Sequence, residues 1–259
     1  MRTIKLNIIF KLMSFIIGCT VPLWVKAQKL PNIQTTGVWL PETVKIDGKL
    51  NEWDNGLSAN NKSNHLQYTL ANNDKYLYLA VKSADKVTVG KIIAGGVNLT
   101  MKFPDDNKQT ELGIVYPLGS SKYKNNSYTY LDSVKILDIV LMAKEIKVLN
   151  FKTIPDSLIS VYNSYGIKTS ISYNKGLLIY ELMLPLNVLG IPYTENSKFN
   201  YKIKLDGFFT SEKLSDTPGS PPPAPMGLPA NRSAFSDAGM ALEMREPTDF
   251  SGKYVLYKK

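Results

Sequence analysis

The chain has 259 residues, 44% of them hydrophobic, and a formal net charge of +9. That length buries a good core without staples, and a single cysteine with a single histidine argues against a disulfide framework or a Cys/His metal site. The basic residues are scattered (Lys122 and Lys124, Lys144 and Lys147, Lys258 and Lys259). The clustered Lys/Arg footprint of a nucleic-acid binder is therefore missing.

Residues 1–27 read as a signal peptide. Arg2, Lys5 and Lys11 form a basic start, Leu12 to Val25 is mostly apolar, and Val25-Lys26-Ala27 fits a cleavage site. The apolar run is shorter than the ~20 residues a membrane-spanning helix needs. The expected mature chain starts at Gln28, and losing four basic residues leaves 27 against 22 acidic ones, net +5. A second reading stays open. Ile16-Ile17-Gly18-Cys19 is lipobox-like, and lipidation at Cys19 would anchor the protein to a membrane. The apolar residues past Cys19, Val21 to Trp24, favour simple cleavage. Either way the protein is expected to be exported, to the periplasm or cell surface.

Residues 28–37 read as a flexible arm, and 38–259 as one β-sandwich domain. Val38–Leu40 and Val44–Ile46 look like short strands split by Pro41. Leu66 to Leu70 and Tyr76 to Lys82 flank an Asn72–Lys75 turn and predict a hairpin. In its return strand Tyr76, Tyr78 and Ala80 share one face and Leu77, Leu79 and Val81 the other, the pattern of a central strand. A short helix over 85–95 would end at Gly95-Gly96. Strands follow at 97–103 and 112–118. Asp132-Ser133 caps a predicted helix over 134–145, with Val134, Leu137, Val140 and Leu141 at helical spacing and Ile139 and Met142 widening that face. Strands at 146–151, 167–173 and 177–184 come next, the last two joined by Asn174-Lys175-Gly176. A helical turn at 185–189 and strands at 201–206 and 253–257 complete the set. The stretch 214–231 carries six prolines and cannot be a central strand, so it reads as an extended surface loop. About ten short strands with no repeated βαβ unit give an all-β antiparallel sandwich, jelly-roll or immunoglobulin-like in layering, with one or two short helices.

Residues 44–54, Val-Lys-Ile-Asp-Gly-Lys-Leu-Asn-Glu-Trp-Asp, and the run Asn73-Asp74-Lys75-Tyr76-Leu77-Tyr78 resemble the opening of family 9 carbohydrate-binding modules and their DOMON-like β-sandwich relatives. Tyr180-Glu181-Leu182-Met183-Leu184-Pro185-Leu186 and Pro247 to Leu256 are similar to the later strands of an exported bacterial subgroup. The resemblance spans about residues 40–259. It implies a sandwich and, by default, a carbohydrate or glycan-like ligand. It implies structural roles for Asp47, Gly48, Glu52 and Trp53, with Trp53 packed in the core and its N–H tied to backbone.

Sugar binding needs amphipathic rings that stack on C–H faces. Trp39, on a short strand before Pro41, is one candidate. Tyr123, Tyr128 and Tyr130, in a polar Asn/Ser/Lys loop, are the others. Ordinary loop anchoring competes with that role for each tyrosine. Asp105, Asp106 and Glu111 are hard oxygen donors, but they lack calcium-loop spacing and read as a solvated turn; calcium is the weak alternative to no cofactor. Glu181, mid-strand, would need a partner such as Lys168 or Lys204 if it faced inward. His65 has no nucleophile elbow for company, and no catalytic motif occurs. The sequence thus points to a non-catalytic exported binding module. The alternative is a structural or protein-interaction domain that has lost sugar binding.

Overall fold

A computed structural model describes residues 29–54, 56–104, 110–118, 133–190, 197–207, 243–244 and 246–258. The chain divides into two units, Met1–Leu30 and Pro31–Lys259, and all that follows concerns the second.

The second unit is an antiparallel β-sandwich. Its strands are β1 (Ala59–Asn61), β2 (Leu66–Asn72), β3 (Tyr76–Ser83), β4 (Val97–Phe103), β5 (Thr110–Tyr116), β6 (Glu145–Leu149), β7 (Leu158–Ser160), β8 (Lys168–Asn174), β9 (Leu177–Pro185), β10 (Lys198–Leu205) and β11 (Thr248–Val255). One sheet has the order β1-β2-β3-β9-β8, the other β11-β10-β4-β5-β6-β7. Helix α1 (Lys86–Gly95) joins β3 to β4, and α2 (Ser133–Met142) lies between β5 and β6. Asp85 caps α1, accepting from Thr88 N at 2.9 Å, and Gly96 ends it at φ 79°.

The period-2 pattern decides what lies between the sheets. Leu77, Leu79 and Val81 of β3, Tyr180 and Leu182 of β9, Leu99 and Met101 of β4, and Tyr201 and Ile203 of β10 form one continuous core. The six-stranded sheet keeps its other face wet, as the in–out alternation of β4 and β10 shows. The five-stranded sheet does not. Its outer face carries Ala71, Tyr78, Ala80 and Met183, and these pack under Leu40, Leu57 and the half-buried Val38, Val44, Ile46, Leu50 and Trp53. Residues 38–54 and 56–57 are thus a third layer over one sheet.

That layer corrects three expectations. Val38–Leu40 makes only a single parallel bridge, Trp39 to Asn72, with Leu40 N donating to Asn72 O at 2.8 Å. Val44–Ile46 forms no strand, because its apolar side chains lie on the face of the sheet rather than at its edge. The expected flexible arm is tied down from Pro31 onward. Gln34 is 1% exposed, and its amide pairs with Leu70 as a strand would: Leu70 N donates to Oε1 at 2.9 Å and Nε2 donates to Leu70 O at 2.7 Å. Gln34 N also donates to Tyr68 Oη at 2.8 Å, and Tyr201 Oη donates to Gln34 O at 3.1 Å. The two tyrosine hydroxyls bond each other at 2.9 Å, joining β2 of one sheet to β10 of the other. Gln34→Ala should therefore cost about 2–4 kcal/mol, because it leaves the buried N–H and C=O of Leu70 unpaired. Urea denaturation checks this, and a cost under about 1 kcal/mol would mean water replaces the amide.

Helix α2 is shorter than predicted and turned differently. Ile136, Ile139 and Ala143 are buried, whereas Leu137, Leu141 and Met142 of the expected inner face are exposed. Gly252 has a packing reason. It pairs with Tyr201 across β10 and β11, and a Cβ there would sit 2.5 Å from the tyrosine ring.

Candidate functional site

The motif residues converge on one buried carboxylate beneath the covering layer. Glu181 projects from β9 onto the outer face of the five-stranded sheet and is fully buried. Its Oε2 accepts from Gly48 N at 2.7 Å and Asp47 N at 3.1 Å, and its Oε1 accepts from Tyr78 Oη at 2.8 Å. Among the described residues no lysine pairs with it. Lys204, one of the expected partners, bonds Asp206 at 2.6 Å instead. The Asp47-Gly48 turn has the shape this needs. Asp47 Oδ1 accepts from Lys49 N, and Gly48 has φ 79° with Ser172 Cβ 2.8 Å from where its own Cβ would be. Ser172 Oγ then donates to Gly48 O at 2.7 Å. Trp53 stacks on Tyr78 with ring centroids 5.5 Å apart and planes 17° apart. Its N–H donates to Tyr78 Oη at 3.3 Å, not to backbone as the resemblance implied. Glu52 has one buried carboxylate oxygen with no hydrogen bond.

Burial pushes the Glu181 carboxyl above its ordinary 4.5, and the hydrogen bonds from Tyr78, Gly48 and Asp47 pull it partly back. The folded state therefore holds the proton more tightly than the unfolded chain. This group's contribution to stability is complete below 4.5 and is lost as pH rises through the raised value. The stability of the wild type relative to Glu181→Gln should accordingly fall as pH rises from 4.5. Denaturation at a series of pH values measures it, and a rising difference would mean the hydrogen bonds outweigh burial.

The bonds around Glu181 leave its carboxylate nothing to offer a ligand, but the covering layer leaves a cleft at its margin. The cleft has a volume of about 640 Å³, within the range of small-molecule sites. Trp39, half-buried and edge-on to Tyr257 at 5.9 Å, stands in one wall with Lys45. Tyr76, at the start of β3, stands in another, and Met183 lines the cleft from the sheet. The turn before β3 is fixed by Asn73, whose Oδ1 accepts from Lys75 N and Tyr76 N, both at 2.9 Å. Lys75, Lys168, Glu42 and Asp74 also line it, all exposed. None of these lysines or carboxylates enters an ion pair among the described residues. Their donors and acceptors therefore face the cleft or solvent, beside two aromatic rings.

Of the residues the sequence put forward for binding, Trp39 lies in this cleft. Tyr123, Tyr128 and Tyr130 lie outside the described residues, as do Asp105, Asp106, Cys19 and the Pro-rich stretch 214–231. Glu111 pairs with Lys102 at 2.9 Å. Tyr76, Lys45, Lys75 and Lys168 are not among the binding candidates the sequence offers. The one available signal was Tyr76, a ring directly after an Asn-Asp-Lys turn.

No family model matches the chain, and no curated protein matches it. Among solved structures it is similar to a family 9 carbohydrate-binding module from Caldicellulosiruptor kristjanssonii, solved in complex with glucose. The two share 9% identity at a TM-score of 0.39, over 87% of this chain and 97% of that one. The sandwich itself is established by the strand order.

Proposed function

We propose that this chain is an exported, non-catalytic module that binds a carbohydrate or glycan-like ligand in the cleft beside Trp39. One observation carries the reading. Trp39 and Tyr76 line a single open cleft together with unpaired lysine and carboxylate side chains. Aromatic rings suit the C–H faces of a pyranose, and mixed donors and acceptors suit its hydroxyls. A glycan array probed with the chain tests this, followed by calorimetry on the best oligosaccharide. Trp39→Ala should weaken that binding by about 30-fold, the ~2 kcal/mol of a buried aromatic anchor, while circular dichroism stays unchanged. An empty array, or binding indifferent to both Trp39→Ala and Tyr76→Ala, would sink the reading.

A protein-interaction role has its own observation. Leu137, Leu141 and Met142 are 44%, 69% and 64% exposed on α2, more apolar surface than a solvated helix needs. A polar triple substitution that abolishes self-association or capture of a defined partner, with no glycan bound, would favour it.

A further inference from the structure

The register of the six-stranded sheet gathers lysines that lie far apart in the sequence. Its outer face carries Lys198, Asn200 and Lys202 at alternate positions of β10. Asn200 pairs with Lys102 of β4 on one side and with Lys253 of β11 on the other. One asparagine therefore sits at the centre of four lysines. Strand geometry sets their spacing: neighbouring backbones lie ~4.8 Å apart, and same-face residues of one strand ~7 Å apart. A depression of about 220 Å³ opens among Lys102, Lys198, Asn200 and Lys253. Lys198, Asn200, Lys202 and Lys253 are exposed. Lys102 is paired, with Glu111 at 2.9 Å. Lys198, Lys202 and Lys253 enter no ion pair among the described residues. Asp249 lies at the far end of β10, opposite Lys204, which bonds Asp206 at 2.6 Å.

A solvated sheet face does not need this arrangement. Surface charges ordinarily alternate in sign, and like charges on neighbouring strands repel. A lysine on an edge strand guards against unwanted pairing, which explains Lys253 on β11. It does not explain Lys198 and Lys202, because β10 lies between β11 and β4. A partner that brings negative charges at a similar spacing relieves the repulsion.

The other outward side chains decide the class of partner. The outward positions of β4, β10 and β11 hold no aromatic ring on which nucleobases could stack, and Phe103 and Phe199 are buried on the inner face. These strands expose no large apolar side chain that could enter a bilayer. Asn200 and Ser251, the latter paired with Lys202, set an amide and a hydroxyl among the lysines, and both suit sugar hydroxyls. We propose that this face binds an acidic polysaccharide, its carboxylate or sulfate groups on Lys198, Lys202 and Lys253. The aromatic cleft lies over the five-stranded sheet, so the two sites are independent.

The test titrates the full chain with dextran sulfate, polygalacturonate, single-stranded DNA and phosphatidylglycerol vesicles, by calorimetry at low and at high salt. At least one of the two acidic polysaccharides is expected to bind more tightly than the DNA and the vesicles, with an affinity that falls as salt screens the lysines. The triple variant Lys198→Gln, Lys202→Gln, Lys253→Gln should weaken that binding by about tenfold and melt no lower than the wild type. Removing the same charge at Lys86, Lys152 and Lys175, which are exposed and outside this face, should leave the binding nearly unchanged. The proposal is overturned if neither acidic polysaccharide binds, if the DNA or the vesicles bind as tightly, or if the two triple variants lose affinity equally. It is equally overturned if the first triple variant melts several degrees lower, since the lysines would then be structural.

Discussion

Glu181→Ala should be among the most damaging single changes in the sandwich, at about 3–5 kcal/mol. The carboxylate is the common acceptor for Asp47 N, Gly48 N and Tyr78 Oη. Two of these donors belong to the covering layer and Tyr78 lies beneath it, so alanine leaves them unpaired next to a void. For a domain of this size each kcal/mol moves the melting temperature by about 2–4 °C, so a fall on the order of 10 °C is expected. Glu181→Gln should lose less, because its carbonyl oxygen still accepts from the turn and Tyr78 Oη can rotate to accept from its NH₂. Thermal and urea melts of the three proteins test the order. If alanine costs no more than glutamine, water reaches the turn and the layer is looser than the hydrogen bonds imply.

Trp53→Ala should cost about 3 kcal/mol, the low end for truncating a core aromatic. The low end applies because Trp53 is half-buried, with one face on Tyr78. Truncation removes that stack, the N–H bond to Tyr78 Oη, and packing against the apolar cluster on the outer face of the five-stranded sheet. Trp53 and Glu181 both hold Tyr78, so their losses should not add. The double variant should fall short of the summed single costs by about 1 kcal/mol. Additivity within about 0.3–0.5 kcal/mol would show that the tryptophan and the carboxylate act separately.

What could be read in the sequence followed from how much of each signal is local. The β2–β3 and β8–β9 hairpins rest on alternation and turn residues a few positions apart, and both stand in the structure. The inner face of α2 was misread because apolar residues occur on all its sides, and periodicity cannot choose among them. Glu181 was expected to find a lysine. It found two peptide N–H groups instead, and a peptide N–H has no letter of its own. The cleft escaped for a related reason. Its walls come from residues 39–46, 73–76, 168 and 183, and only the pairing of β3 with β9 and β8 brings these together. Trp39 was legible because tryptophan beside proline on a short segment is conspicuous by type. Lys45, Lys75 and Lys168 look like any surface lysines until the sheet is assembled.

The covering layer is fastened at several points, two of which bracket residues 41–46: the Leu40 bridge to Asn72 and the Gly48 turn on Glu181. Between them, residues 41–46 form one wall of the cleft and contribute no strand to either sheet. Its exposed positions can be recoded, and residues added between them, while both anchors, the packed Val44 and Ile46, and the sandwich stay intact. Closing a longer loop costs only about 0.6 kcal/mol per doubling. The fold thus separates inheritance from novelty: the anchors, Val44 and Ile46 are constrained by packing, while the exposed positions Glu42, Thr43 and Lys45 are free to diversify. A library randomised at Glu42, Thr43 and Lys45, with Val44 and Ile46 kept on the sheet, should yield many folded proteins with different ligand preferences from the same scaffold.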